Sequence, residues 1–141
     1  YAFEEEKYRG APDIRLHEID VARPLEIAGE RIVPVSGHHS ERFEVTGYRI
    51  GRMAYLTDFK TIADAEVGKL IGVELLVVNA LRFRPHPSHF NVEEALALIA
   101  RVAPRRALIT HVSHEIGRHA ATTALLPRGV ELAYDGLEII I

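Results

Sequence analysis

Apolar and polar positions divide the chain into two regimes. Through the first third they alternate in short runs separated by polar or glycine turns, which is the pattern of half-buried strands. It predicts strands over "IRLHEI" (14–19), "LEIAG" (25–29), "RIVPVS" (31–36), "EVTGYRI" (44–50) and "RMAYLT" (52–57). Links this short imply antiparallel neighbours. From Ile62 onward strand and helix patterns take turns: a short helix near 64–71, the apolar strand "ELLVVNA" (74–80), a helix over Val92–Val102, the strand "ALIT" (107–110) and a helix near 115–125. Such alternation implies parallel strands covered by helices. Asn91 followed by Glu94 is a capping box, and Val92, Ala95, Ile99 and Val102 form one apolar stripe. The ending "GVELAYDGLEIII" reads as two strands around an Asp135-Gly136 hairpin turn.

With 141 residues the chain is at most one ordinary domain with one core. Its hydrophobic fraction of 48% and charged fraction of 26% are those of a globular protein. A net charge of -3 argues against a general nucleic-acid-binding surface. No apolar run approaches the length of a membrane helix. Cysteine is absent, which rules out disulfides and thiolate metal sites and suits a reducing cytoplasm. Any metal must therefore be held by imidazole, carboxylate and water. The chain opens on "YAFEEEKYRG" without a starting methionine, so a piece of a longer protein is the expectation.

Chemistry-bearing side chains gather where predicted strands end. Asp58 closes "RMAYLTD", His86 and His89 follow "ELLVVNA", His111 ends "ALIT", and His38 and His39 follow "RIVPVS" in a polar loop. Loops at the carboxyl ends of strands in an open α/β sheet are where ligands collect. A carboxylate with neutral imidazoles binds zinc, manganese or iron when thiolates are lacking. Each residue also admits a structural role: Asp58 as a turn cap, His111 as a satisfied core histidine, His86 and His89 as part of a proline-rich loop in which Ser88 or His89 starts the next helix, His38 and His39 as solvated loop residues. Their shared location favours a site. His17, Glu115 and His119 read as structural.

Four runs, "GYRIGRMAYLTDF", "LLVVNALRFRPHPSHFNVEEAL", "RALITHVSHEIGRH" and "LPRGVELAYDGLEI", together with "YAF" and "PVSGHHS", resemble the C-terminal half of metallo-β-lactamase-fold hydrolases. The resemblance is closest to the branch of the phosphonate-pathway cyclic phosphodiesterase and more distant to the transfer-RNA 3′-processing ribonucleases. It implies a mixed α/β (α+β) fold, namely the C-terminal half of an αββα sandwich, and hydrolysis of a small-molecule phosphodiester by hydroxide activated between two zinc or manganese ions. Asp58 is similar to the family's metal-bridging carboxylate and His111 to its last histidine ligand. His39 resembles the histidine preceding the aspartate strand, with His38 as a one-residue alternative. His89 resembles the non-ligand histidine assigned as general acid. Gly47, Thr57 and the Tyr134-Asp135-Gly136 turn would support the site, and His86 and His114 would line it.

One departure is large. The family's His-x-His-x-Asp-His motif is absent from the chain. Residues 1–141 are therefore expected to be a single partial domain, with the N-terminal half that carries this motif missing. That half, or a second copy of the chain, is the expected partner. Two alternatives stand beside the hydrolase: a non-catalytic interaction half-domain, and a thioester or lactone hydrolase on the same scaffold.

Overall fold

The computed structural model describes residues 14 and 16–141, which form one seven-stranded mixed sheet. Its strands are β1 (Leu25–Ile27), β2 (Glu30–Ser40), β3 (Phe43–Ile50), β4 (Met53–Leu56), β5 (Leu75–Asn79), β6 (Arg106–Thr110) and β7 (Val130–Leu132), and they lie side by side in chain order. β1 to β4 pair antiparallel and β4 to β7 parallel, so the two regimes of the sequence pattern correspond to the two halves of the sheet.

Two helices, α1 (Asp64–Gly68) and α2 (Val92–Val102), contribute to the main core. α2 forms where the capping box predicts it: Asn91 Oδ1 accepts from the Glu94 N–H, and Glu94 Oε2 accepts from the Asn91 N–H, both at 2.8 Å. It stops at Ala103, which takes the left-handed conformation, with Pro104 next. Val92, Ala95, Leu98, Ile99 and Val102 are buried in one cluster with Ala54, Leu56, Leu76, Val78, Ala107 and Ile109 of the sheet. Full burial of each large aliphatic side chain there is worth roughly 1.5–3 kcal/mol. On the opposite sheet face a smaller cluster, Leu75, Val77 and Leu108, is covered by Met53, Ala133, Leu137 and Ile139.

Several elements differ from the sequence pattern. Residue 14 and residues 16–19 form no strand; Ile14, Leu16 and Ile19 are exposed, because alternation alone supplies no neighbouring edge to pair with. β2 runs on to Ser40, so His38 and His39 are strand residues rather than loop residues, with a register shift between His38 and Ser40. The expected helix over 115–125 is split into a 3-10 turn (His114–Ile116) and α3 (His119–Thr123). Gly117, at φ 96°, breaks the helix, and the Thr122 hydroxyl donates to the Ile116 carbonyl across the break at 2.8 Å. The terminal hairpin does not form either. Leu137 N–H closes a turn on the Tyr134 carbonyl at 3.1 Å, but 138–141 add no strand, because Leu137 and Ile139 fold over the small cluster instead.

Candidate metal centre

β2 and β4 to β6 run in the same direction, which follows from two successive antiparallel steps and then parallel pairing. Their carboxyl ends therefore share one edge of the sheet. His39 stands at the end of β2, Asp58 two residues past β4, His86 and His89 in the loop after β5, and His111 one residue past β6. The sequence-level grouping by strand ends becomes a single cluster.

Asp58 is its centre. Thr57 Oγ1 donates to Asp58 Oδ2 at 2.9 Å, which leaves Oδ1 facing His89 Nε2 at 3.2 Å and His111 Nε2 at 3.3 Å. His111 Nε2 and His89 Nε2 are themselves 3.1 Å apart, and His39 Nδ1 lies 3.0 Å from the Asp58 carbonyl. The imidazole of His89 packs edge-on to His39 and stacks on His111. Behind it, His89 Nδ1 meets His86 Nδ1 at 3.2 Å, with Ser88 Oγ within 3.3 Å of both. His38 instead pairs through its backbone with Lys60 and Thr61, so His39 is the histidine of this pair that reaches Asp58. Among the described residues His114 makes no side-chain hydrogen bond to the cluster; it lies in the 3-10 turn beyond His111.

Two centre residues carry unusual backbones. Asp58 sits at φ 64° and His111 at φ 55°, both left-handed and neither glycine. Strain of this kind concentrates at functional sites, where surrounding structure holds it in place. At Asp58 that structure is Asn79, the fully buried last residue of β5. Its Oδ1 accepts from the Phe59 N–H at 2.8 Å and its Nδ2 donates to the Phe59 carbonyl at 3.0 Å. Phe59 O also accepts from the Phe90 N–H at 2.8 Å, which ties the Asp58 turn to the His89 loop. Asn79 was not among the residues that strand ends singled out. The available signal is one amide at the end of the apolar run "LLVVN".

Charge follows from this packing. Burial pushes the Asp58 carboxyl upward, but hydrogen bonds from Thr57 and His89 and the nearby His111 and His89 imidazoles outweigh it, so the group lies below the ordinary carboxylate value. Burial, reinforced by His39, His111 and His86, lowers the His89 imidazole although Asp58 pulls it up. His86 is lowered as well, by burial and then by Arg82 and Lys60. An ionised carboxylate beside neutral imidazoles is the state that donates electron pairs. His39, Asp58 and His89 each offer one ligand atom within 4.8 Å of the others, and His111 adjoins them through Asp58 Oδ1. Facing imidazole nitrogens around one carboxylate oxygen fit a divalent cation held by nitrogen and oxygen. Clefts of about 480 Å³ beside His38, Lys60 and Pro87, and about 350 Å³ beside His111 and Tyr134, flank the cluster.

A mixed sheet with strand-end histidines around one aspartate defines half of a metallo-β-lactamase hydrolase fold. Residues 1–112 match the beta-lactamase superfamily domain, and the chain belongs to that family. It is similar to a diphosphatase from the PhnP family, at 35% identity and a TM-score of 0.85, over 90% of this chain and 49% of that one. The metallo-beta-lactamase fold protein YhfI from Bacillus subtilis superposes at 17% identity and a TM-score of 0.65, over 84% of this chain and 53% of its own. The human short-form tRNase Z does so at 17% identity and 0.61, over 80% and 44%. These two likenesses concern the fold. An octanoyltransferase of Porphyromonas gingivalis is 37% identical over 142 residues, which take in all of this chain and 29% of that protein. The chain thus spans under a third of that relative and about half of the diphosphatase. Among the described residues no helix is long and apolar enough to cross a membrane.

Proposed function

We propose that these residues are the C-terminal half of a metal-dependent phosphoryl hydrolase whose preferred substrates are small phosphodiesters. The observation that carries this reading is the convergence of His39, Asp58, His89 and His111 within hydrogen-bonding distance at one sheet edge. The 35% identity to a diphosphatase supports phosphoryl chemistry in particular. The half-domain reading is supported by the sheet face opposite the main core. There Tyr55 is 42% exposed and Ile50 36%, an apolar surface of the kind a second sheet layer covers in a sandwich.

In this proposal Asp58, His111 and His39 hold divalent metal, zinc or manganese, with the remaining ligands supplied by the N-terminal half. Bound there, the metal would lower the pKa of water and offset charge on a phosphoryl oxygen. Thr57 fixes the Asp58 carboxylate by occupying Oδ2, so that Oδ1 faces the imidazoles. His89, in the loop braced by Pro85 and Pro87, takes up the proton lost by the attacking water and passes it to the departing alkoxide oxygen, and His86 and Ser88 orient its ring from behind. The two clefts beside the cluster receive the two substituents of the diester.

The octanoyltransferase relative supports a second reading, hydrolysis of a thioester or lactone on the same scaffold. One experiment separates the readings. The full-length protein and its Asp58→Ala variant are measured for metal by inductively coupled plasma mass spectrometry and for turnover of bis-p-nitrophenyl phosphate and an acyl thioester in parallel. Metal and phosphodiesterase activity lost together in the variant is the expected result. Turnover of the thioester alone selects the second reading. A full-length wild type without metal or turnover would make these residues a non-catalytic interaction half-domain.

A further inference from the structure

Arg82 and Glu115 lie on different loops and hydrogen-bond to each other rather than to the clustered histidines. Arg82 opens the loop between β5 and α2 that carries His86 and His89. Glu115 lies in the 3-10 turn that follows His111. Arg82 Nη1 donates to Glu115 Oε1 at 2.7 Å, and Arg82 Nη2 donates to the Pro85 carbonyl at 3.1 Å. One guanidinium therefore grips both loops, and its second arm reaches the residue immediately before His86. Arg84 Nη2 donates to the other oxygen, Glu115 Oε2, at 2.6 Å.

Lower down, the two loops are joined by backbone bonds alone. Ala80 N–H donates to the Thr110 carbonyl at 3.1 Å, and Ser113 N–H donates to the Leu81 carbonyl at 2.9 Å. Leu81 N–H also donates to the Phe90 carbonyl at 2.9 Å, so backbone bonds fix the roots of both loops, and the Arg82 and Arg84 side chains add the contacts that join their outer parts. The side chain of Arg82 is 23% exposed and that of Glu115 30%, whereas that of Arg84 is 78% exposed. Arg82 is thus half-buried while Glu115 stays open to solvent, and a planar two-armed donor suits a carboxylate on one side and a carbonyl on the other.

We propose that the Arg82–Glu115 pair is a positioning clasp that sets the spacing between the His89 loop and the His111 loop. Resting on the hydrolase reading above, it adds to the backbone bonds beside the two histidines, Leu81 N–H to the Phe90 carbonyl and Ser113 N–H to the Leu81 carbonyl, and so sets the fine spacing of two imidazoles 3.1 Å apart at Nε2. Neither residue touches the reacting atoms. Each acts through the loop it holds, so its loss alters turnover more than substrate binding.

The test uses the full-length protein stripped of metal, with Arg82→Ala and Glu115→Gln as variants and amide hydrogen exchange by mass spectrometry as readout. Exchange in 82–90 and 111–116 is expected to rise about tenfold in both variants, with β2 and β3 unchanged. In the metal-loaded protein kcat for bis-p-nitrophenyl phosphate falls by about tenfold or more at unchanged KM. Unchanged exchange in both loops overturns the clasp. So does a uniform rise across all peptides in both variants, since the pair would then be a general stability element. If the wild type hydrolyses no phosphodiester, the hydrolase reading fails, and the exchange comparison still decides the clasp.

Discussion

The side chain of Asn79 pairs with the backbone of Phe59 at both of its polar groups, N–H and C=O, as a neighbouring strand would. The last residue of β5 thereby continues the sheet sideways into the turn that bears Asp58. A buried amide meeting one residue twice specifies both the position and the direction of that turn.

Asn79→Ala should therefore cost stability and metal together. It leaves the Phe59 N–H without its acceptor in a fully buried setting, a loss of about 1–3 kcal/mol. Urea denaturation with metal analysis of the refolded protein checks this. Asn79→Asp keeps the acceptor but sets a carboxylate oxygen against the Phe59 carbonyl, so it should rescue little. Full stability in Asn79→Asp would show that the Nδ2 donation contributes nothing.

Gly47 tests how closely β3 must approach the same turn. A Cβ there would lie 2.8 Å from the Tyr55 carbonyl and closer still to a Leu56 methyl group. Gly47→Ala is expected to destabilise by about 1–3 kcal/mol through overpacking, measured by chemical denaturation. A neutral result would mean that β3 and β4 can part without consequence.

At His111 the usual ranking of small residues should reverse. Because φ is 55°, His111→Gly should be more stable than His111→Ala by about 1 kcal/mol, although both lose the imidazole. Paired thermal melts of the two variants give the comparison. Equal stability would mean that the backbone relaxes once the side chain is gone.

Removing single donors should separate holding from proton transfer. Asp58→Ala loses metal and turnover, whereas His89→Ala keeps metal and loses turnover, as read by metal analysis beside kinetics. Metal lost from His89→Ala would place His89 among the ligands with His39 and Asp58, whose ligand atoms it already faces.

Acid should open the clasp late. Arg84 and Arg82 lower the Glu115 carboxyl from 4.5 to about 2. A carboxylate depressed in the folded state contributes its full stabilisation above the unfolded value, so the contribution is complete above pH 4.5 and lost as pH falls through about 2. The carboxyl carbon resonance of Glu115 reports this directly. High salt should move the titration upward by screening the two arginines. A midpoint near 4.5 at low salt would mean that the ion pairs do not persist in solution.

The sheet was largely legible because its burial is periodic: the change from alternating runs to strand–helix alternation marks the change from antiparallel to parallel pairing. The Asn91 capping box located α2 because capping is a local interaction. What escaped depends on distant partners. Ile14, Leu16 and Ile19 alternate like a strand, yet pairing requires an edge that the sequence does not display. Leu137 and Ile139 read as strand residues because the pattern records that they are apolar, not what they cover. The strand ends named Asp58, His39, His89 and His111, which lie close together in the structure. Asn79 and the Arg82–Glu115 pair were missed as contributors because each acts over 20 or more positions of sequence, through groups that taken singly look ordinary.

Strand order in space repeats strand order in the chain from β1 to β7. Each strand therefore docks against one already made, and no late segment must thread between earlier ones. β1 to β4 pair across short turns and can close quickly, whereas each parallel pairing from β4 to β7 waits for a long crossover, so the parallel half forms later and more slowly. The growing sheet is its own template. His39, Asp58, His89 and His111 arrive along its edge in that same sequence, so this chain's share of the candidate site is whole only once the residue after β6 has been made.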